Sequence, residues 1–261
     1  MIKKLFMKDH FTIPYGESHN YKLLISQWRD LCKVQGWKFK KFAMADGLPC
    51  YQVFSKGIKS ANAFYLSAGI HGDEAGGSLA LLSWANKRSS FLSKQPTLIY
   101  PCLNPWGLCQ NSRSDRSGDD LNRQWNQPKS PVIQEIVKRS REMRFSLAIN
   151  LHEDFDANGI YLYENPTAHF KDNKATEILR AGKVHIPIDK RKKIEGRWSR
   201  NGIIRPSKSS LPKEGLPEAV FLQENIAERT FVWETPSEMD IRIRVKAHIA
   251  MLDEALGYTI S

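Results

Sequence analysis

Short apolar runs alternate with amphipathic segments along most of the 261-residue chain, and this alternation restricts the fold more than any other property. Asn62–Ile70 reads as a buried strand, and Gly76–Asn86 as the helix behind it. Thr97–Leu103 is a second such strand, ended by Asn104-Pro105, and a helix over Val132–Met143 leads to a third, Phe145–Leu151. Ahead of these, Tyr21, Leu24, Ile25, Trp28, Leu31 and Cys32 recur at helical spacing, with Gly36 as a stop. Trp37–Met44 and Cys50–Phe54 flank Asp46-Gly47, a natural hairpin turn. Later in the chain Ile160–Tyr163, Ala219–Gln223 and Thr230–Trp233 read as strands, with a helix near Ala168–Gly182. The last helix has Ser237 and Asp240 at its start, Ile241, Val245, Ile249, Leu252 and Leu256 as its buried stripe, and Gly257 as its stop. Strands and helices in this order imply an α/β fold, a mixed sheet with helices on both faces. Ligands in such sheets sit beyond the carboxyl ends of strands.

Hydrophobic residues make up 41% of the chain and charged residues 26%, enough apolar material for a core. A single domain over residues 1–261 is the expectation. The longest apolar runs, Ala63–Ile70 and Phe145–Leu151, fall well short of the ~20 residues a membrane span needs. Lys8, Asp9 and His10 interrupt the N-terminus before the apolar core of a signal peptide develops, so a cytoplasmic protein is expected. Cys32, Cys50, Cys102 and Cys109 show no short paired spacing and read as free thiols, mostly buried. The formal net charge of +11 can steer nucleic acid, an anionic surface or an acidic substrate. Its basic residues are spread out, however, and the densest run, Lys190–Lys193, lacks interleaved aromatics and reads as a solvated loop. Neither nucleic acid nor membrane is expected as a partner.

The chemistry gathers at strand ends. After Ile70 comes His71-Gly72-Asp73-Glu74, where an imidazole and a carboxylate three residues apart can share one cation. Two His and one Glu make a catalytic zinc set that leaves a position for water. Asn150-Leu151-His152-Glu153-Asp154, at the end of another strand, supplies the best-placed third ligand, with Glu153 or Asp154 available to fix a ligand tautomer. Taken alone, His71 and Glu74 can equally be polar surface. His10, His19, His169, His185 and His248 lack an acidic partner at a strand end and read as structural.

A loop rich in Asn, Ser, Asp, Gly and Arg spans residues 104–129. Its arginines can polarise a scissile carbonyl or grip a substrate carboxylate bidentately, with an Asn amide alongside. Near the C-terminus, Glu234 follows the apolar run Thr230–Trp233. Partial burial would raise its pKa and suit it to carry a proton from water to a leaving amine.

Taken together, these pieces resemble the zinc metallocarboxypeptidase family. They are His71-x-x-Glu74, Asn104-Pro-x-Gly107, Arg113, Asp120-Leu-Asn122-Arg123, His152 and Glu234-Thr-Pro-Ser237, in family order from residue 62 to about 240. The resemblance implies a three-layer α/β/α fold around a mixed, mostly parallel eight-stranded sheet. It implies one Zn2+ held by His71, Glu74 and His152, and Glu234 as general base and acid. It further implies Arg113, in preference to Arg116, as the carbonyl-polarising group, and Asn122 and Arg123 as a terminal-carboxylate clamp. No tyrosine stands between Tyr163 and Glu234 to match the mobile capping tyrosine of the digestive enzymes; Tyr161 and Tyr163 read as strand-core residues. Residues 117–125 are also similar to cytosolic carboxypeptidases that trim glutamates, and murein-peptide amidases and the aspartoacylase and succinylglutamate desuccinylase group share the metal and arginine motifs. The expected substrate is a peptide or a small carboxylate-bearing amide. The alternatives are a zinc deacylase of N-acyl amino acids and a basic binding module that has lost catalysis.

Overall fold

The computed structural model describes residues 13–57, 62–140, 142–165, 172–207 and 215–258. The expected α1 (Tyr21–Gln35) forms, burying Tyr21, Leu24, Ile25, Trp28, Leu31 and Cys32. Asn20 caps it by accepting from the Leu23 amide at 3.0 Å, and Gly36 ends it at φ 71°. The strands β1 (Lys38–Ala45) and β2 (Leu48–Phe54) form the expected hairpin. Asp46 and Gly47 both take positive φ, 51° and 80°, the twist a two-residue turn between antiparallel strands requires.

The chain continues through β3 (Phe64–Ala68), α2 (Ala75–Lys87), α3 (Ser89–Leu92), β4 (Thr97–Tyr100), α4 (Pro105–Gln110), α5 (Pro131–Ser140) and β5 (Leu147–Asp154). It then forms β6 (Tyr161–Glu164), α6 (Lys174–Gly182), β7 (Lys193–Ile194), β8 (Arg197–Arg200) and β9 (Ile203–Ile204). It closes with α7 (Glu218–Asn225), β10 (Thr230–Pro236) and α8 (Ile241–Ala255). The sheet order is β1-β2-β4-β3-β5-β10-β6-β9-β8-β7. The described strands number ten rather than eight, the short pair β7 and β8 extending one edge. Parallel pairing holds for β4-β3-β5-β10 at the centre and for β6 with β9, while the other neighbours are antiparallel. The sheet is therefore mixed with a parallel centre rather than mostly parallel.

Side-chain alternation along β5 accounts for the three layers. Leu147, Ile149 and Leu151 enter a core with residues of α1, α2, α6 and α8. Ala148 enters a second core, with Val132, Ile133 and Ile136 of α5 and Phe221 and Leu222 of α7. The first edge strand, β1, exposes Lys38, Lys40 and Lys41 and carries a register shift between Lys41 and Ala43.

Several boundaries differ from the sequence reading. Ala219–Gln223 belongs to α7, not a strand; a short apolar run has no period that separates a buried helix from a buried strand. The strand from Thr97 stops at Tyr100, and the loop at 104–129 contains α4 and a 3-10 turn at Leu121–Arg123. The helix expected from Ala168 begins at Lys174; residues 168–171, like His10 and His169, lie outside the described residues. Three cysteines are buried and Cys109 is exposed, all as free thiols. Among the described residues no helix is long and apolar enough to cross a membrane.

The turn after β3 is set against α4 by a backbone contact. Gly72 N donates to Ser112 O at 3.0 Å, and a Cβ on Gly72 would lie 1.9 Å from the Gly107 carbonyl carbon. This close approach brings the arginine loop to the end of β3. Gly72→Ala should cost about 3 kcal/mol in urea unfolding, since the obstruction is backbone that cannot rotate away. Gly16→Ala, where nothing lies within 4 Å, should stay within about 0.5 kcal/mol of wild type. Equal losses in the two variants would remove the contact from the account.

Candidate metal centre

His71 follows β3, Glu74 stands at the N-cap of α2, and His152 is near the carboxyl end of β5. Parallel pairing of β3 with β5 brings these ends together, and one ligand atom from each residue lies within 4.8 Å of the others. All three residues are buried. His71 Nδ1 lies 2.6 Å from Glu74 Oε1, and His152 Nδ1 lies 2.9 Å from Glu74 Oε2. Two imidazoles and one carboxylate, converging and shielded, form a donor set that could hold a metal ion. Burial alone would raise the Glu74 pKa, but the two imidazoles hold it below the usual carboxylate range.

The other nitrogen of His71, Nε2, faces Asp120 Oδ1 at 3.1 Å. Asp120, rather than Glu153 or Asp154, is thus the carboxylate that orients a ligand imidazole. The Asp154 carboxylate instead accepts from the Tyr161 hydroxyl at 2.9 Å. Glu153 points to the opposite face of the sheet. Its carboxylate accepts from Gly76 N at 2.9 Å, Thr235 Oγ1 at 3.0 Å and Arg244 Nη1 at 2.5 Å, with His248 Nε2 at 3.8 Å. Its backbone amide donates to Glu74 Oε2 at 3.2 Å. A Cβ on Gly76 would lie 2.3 Å from Glu153 Oε1, so any larger residue there would displace the Glu153 carboxylate. His248, which reads from sequence as lacking an acidic partner, therefore has one, and also accepts from Trp233 Nε1 at 3.0 Å.

A cleft of about 720 Å³ opens over the three ligands, and Arg113, Asn122, Arg123 and Glu234 all line it. Arg113 reaches Asp120 Oδ2 at 3.1 Å and Glu74 Oε1 at 3.6 Å. Arg116 lies away from the ligands, its amide donating to Asp46 Oδ2 at 3.4 Å. Asn122 Oδ1 accepts from Glu218 N at 2.8 Å, and Arg123 donates to Asn122 O at 2.8 Å. Glu234 pairs in register with His152 across β5 and β10. Burial drives its pKa well up; His152 opposes this, while Glu74 adds to it.

Sequence reasoning missed several residues here. Tyr163 lines the cleft and bonds Glu195 instead of lying in the strand core. His19, read as structural, also lines the cleft, its Nδ1 2.9 Å from Leu108 O. Arg244 meets Glu153 across a separation of 91 residues, for which no local pattern exists. Asp120 lies in the Asp120-Leu-Asn122-Arg123 run, two residues before Asn122, and that position was the available signal.

Burial disfavours a charge on His71, but Glu74 and Asp120 outweigh it and raise the imidazole to about 9. An unfolded His titrates near pH ~6.5. The stabilisation is thus fully present below that pH and lost as pH rises through about 9. Metal-free protein should lose up to about 3 kcal/mol between roughly pH 6 and 10, measured by urea unfolding with a chelator present. His71→Gln should flatten this dependence, and an unchanged slope would refute the assignment to His71.

Residues 60–188 match the family model described as the succinylglutamate desuccinylase/aspartoacylase catalytic domain. No curated protein sequence matches the chain. A candidate metallopeptidase of Shewanella amazonensis superposes with a TM-score of 0.80 at 20% identity, covering 92% of this chain and 93% of that one. A second candidate metallopeptidase, from Shewanella denitrificans, gives 0.81 at 19% identity, covering 92% and 91%. Thrombin activatable fibrinolysis inhibitor gives 0.67 at 14% identity, covering 94% and 77%. With its central parallel strands and these likenesses, the chain has the fold shared by these metallopeptidase and metallocarboxypeptidase structures, and it carries a buried His-Glu-His cluster.

Proposed function

We propose that the protein hydrolyses an amide bond next to a free carboxylate, most simply by removing the C-terminal amino acid of a peptide. One observation carries this reading: the buried Glu234 stands beside His152 in the same cleft as His71, Glu74, Arg113, Asn122 and Arg123. One Zn2+ per chain, held by His71, Glu74 and His152, would supply the Lewis acidity that lowers the pKa of water and polarises a carbonyl.

The chain's own groups supply the remaining roles. Glu234, with its pKa pushed up by burial, takes a proton from the attacking water and passes it to the leaving amine. Arg113, fixed by Asp120, offers its guanidinium to the oxyanion that develops on the scissile carbonyl. Arg123 and Asn122 hold the terminal carboxylate. Because Asn122 Oδ1 is committed to Glu218 N, its amide nitrogen is available to donate. The four free thiols support a reducing, cytoplasmic setting. A peptide or small carboxylate-bearing amide, rather than nucleic acid or membrane, is the ligand this cleft suits.

The family match over residues 60–188 favours a second reading, deacylation of N-acyl amino acids by the same groups. A mass-spectrometric screen of zinc-loaded protein separates them. Loss of single C-terminal residues supports the first, and release of an acyl group from N-acyl amino acids with peptides left intact supports the second. In either case Glu234→Gln should retain zinc, measured by atomic emission, while turnover falls about 10²–10⁴-fold. Comparable turnover would remove Glu234 from the chemistry. Arg123→Ala should raise KM roughly 10- to 100-fold for substrates with a free carboxylate, and much less for their C-terminal amides. The same KM for both forms in wild type would rule out the clamp.

A further inference from the structure

Below the metal ligands, the cleft carries a buried polar cluster that the reaction above does not use. Register places Ser67 of β3 beside Asn150 of β5, and Asn150 beside Val232 of β10. By strand alternation these three share a face with His152 and Glu234, one step deeper. α7 packs over that face, and Pro217, Ala219 and Val220 form the facing wall. Glu218 turns inward, its Oε1 accepting from the Tyr65 hydroxyl at 2.6 Å.

A hydrogen bond fixes which way Asn150 points. Ser67 Oγ is the acceptor for Asn150 Nδ2, at 2.8 Å. Asn150 is 1% exposed yet lines the cleft, and its Oδ1 meets no donor among the described residues. Glu218 Oε2, in a side chain equally buried, meets none either. A buried acceptor facing the cleft is costly unless a donor reaches it. Above it, Val232, Ala219 and Val220 offer an apolar channel suited to methylene groups.

We propose that this floor is a subsite for a substrate side chain with an aliphatic stem and a cationic end, such as that of lysine. The ammonium donates to Asn150 Oδ1. Clamp and floor are joined through one residue, because Glu218 N is the donor to Asn122 Oδ1. The inference rests on the carboxypeptidase reading, and it makes the depth of the cleft select for positive charge although the chain as a whole is basic.

The test compares acylated dipeptides ending in lysine, norleucine and glutamate on zinc-loaded protein. Lysine should exceed norleucine in kcat/KM by about 10- to 100-fold, with glutamate lowest. Asn150→Leu should bring the lysine-to-norleucine ratio to within about threefold, whereas Asn150→Asp, which keeps the acceptor, should retain the preference. The ratio is internal to each variant, so partial loss of folded protein does not alter it. Equal or better cleavage of norleucine or glutamate by wild type, or a ratio untouched by Asn150→Leu, overturns the subsite and leaves the carboxypeptidase reading standing. If no peptide is cleaved, that reading fails and calorimetry on the zinc-loaded Glu234→Gln protein decides the floor alone. Binding of free L-lysine about tenfold tighter than L-norleucine supports it, and equal binding overturns it.

Discussion

Glu153 stands where four elements meet, and it ties the candidate metal ligand Glu74 to the helices behind the sheet. Its carboxylate is buried between the start of α2, the end of β10 and the arginine and histidine of α8. Its amide reaches across to Glu74, so side chain and backbone of one residue bind opposite sides of the same junction. A charge at this depth is tolerated only when its lone pairs are filled, and here Gly76, Thr235 and Arg244 fill them. With one of those partners missing, the carboxylate would have to move or take up a proton, and Glu74 would move with it.

The junction works because β5 alternates at the site. His152 joins the candidate metal cluster while the Glu153 carboxylate bonds α2 and α8 beneath, so the candidate site and its support occupy consecutive positions of one strand. The same alternation on β10 puts Glu234 in the cleft and Thr235 on the support. Parallel pairing of β5 with β10 then sets His152 level with Glu234, and Thr235 level with Glu153. The loop that brings Arg113 and Asp120 owes its placement to the absence of a side chain on Gly72, which lets the α4 turn lie directly against the end of β3.

Much of this was legible in the sequence because catalytic groups in such sheets sit at strand ends, and strand ends are marked by breaks in apolar runs. His71, Glu74, Arg113, Asn122, Arg123, His152 and Glu234 all line one cleft, as their motif order implied. What escaped was long-range or unpatterned. The helical run Glu218–Asn225 has apolar residues on consecutive positions, so no period marked it as a helix. The outermost strand, β7, rests on two residues, Lys193 and Ile194, too few to show alternation. The pairing of Arg244 and His248 with Glu153, and of Ser67 with Asn150, exists only once the sheet and its layers are assembled.

The lysines of β1 give the chain's excess of positive charge a meaning unrelated to ligands. A sheet this wide ends in strands whose backbone groups could zip onto another chain, and β1 is such an end. Lys38, Lys40 and Lys41 line it, and the register shift beside Lys41 bends its outer edge away from straight pairing. A second molecule approaching in register would have to bring like charges together while its strand failed to match the bend. Part of the +11 charge thus lies along a sheet edge, where like charges disfavour pairing between copies of the strand, rather than gathered in a patch.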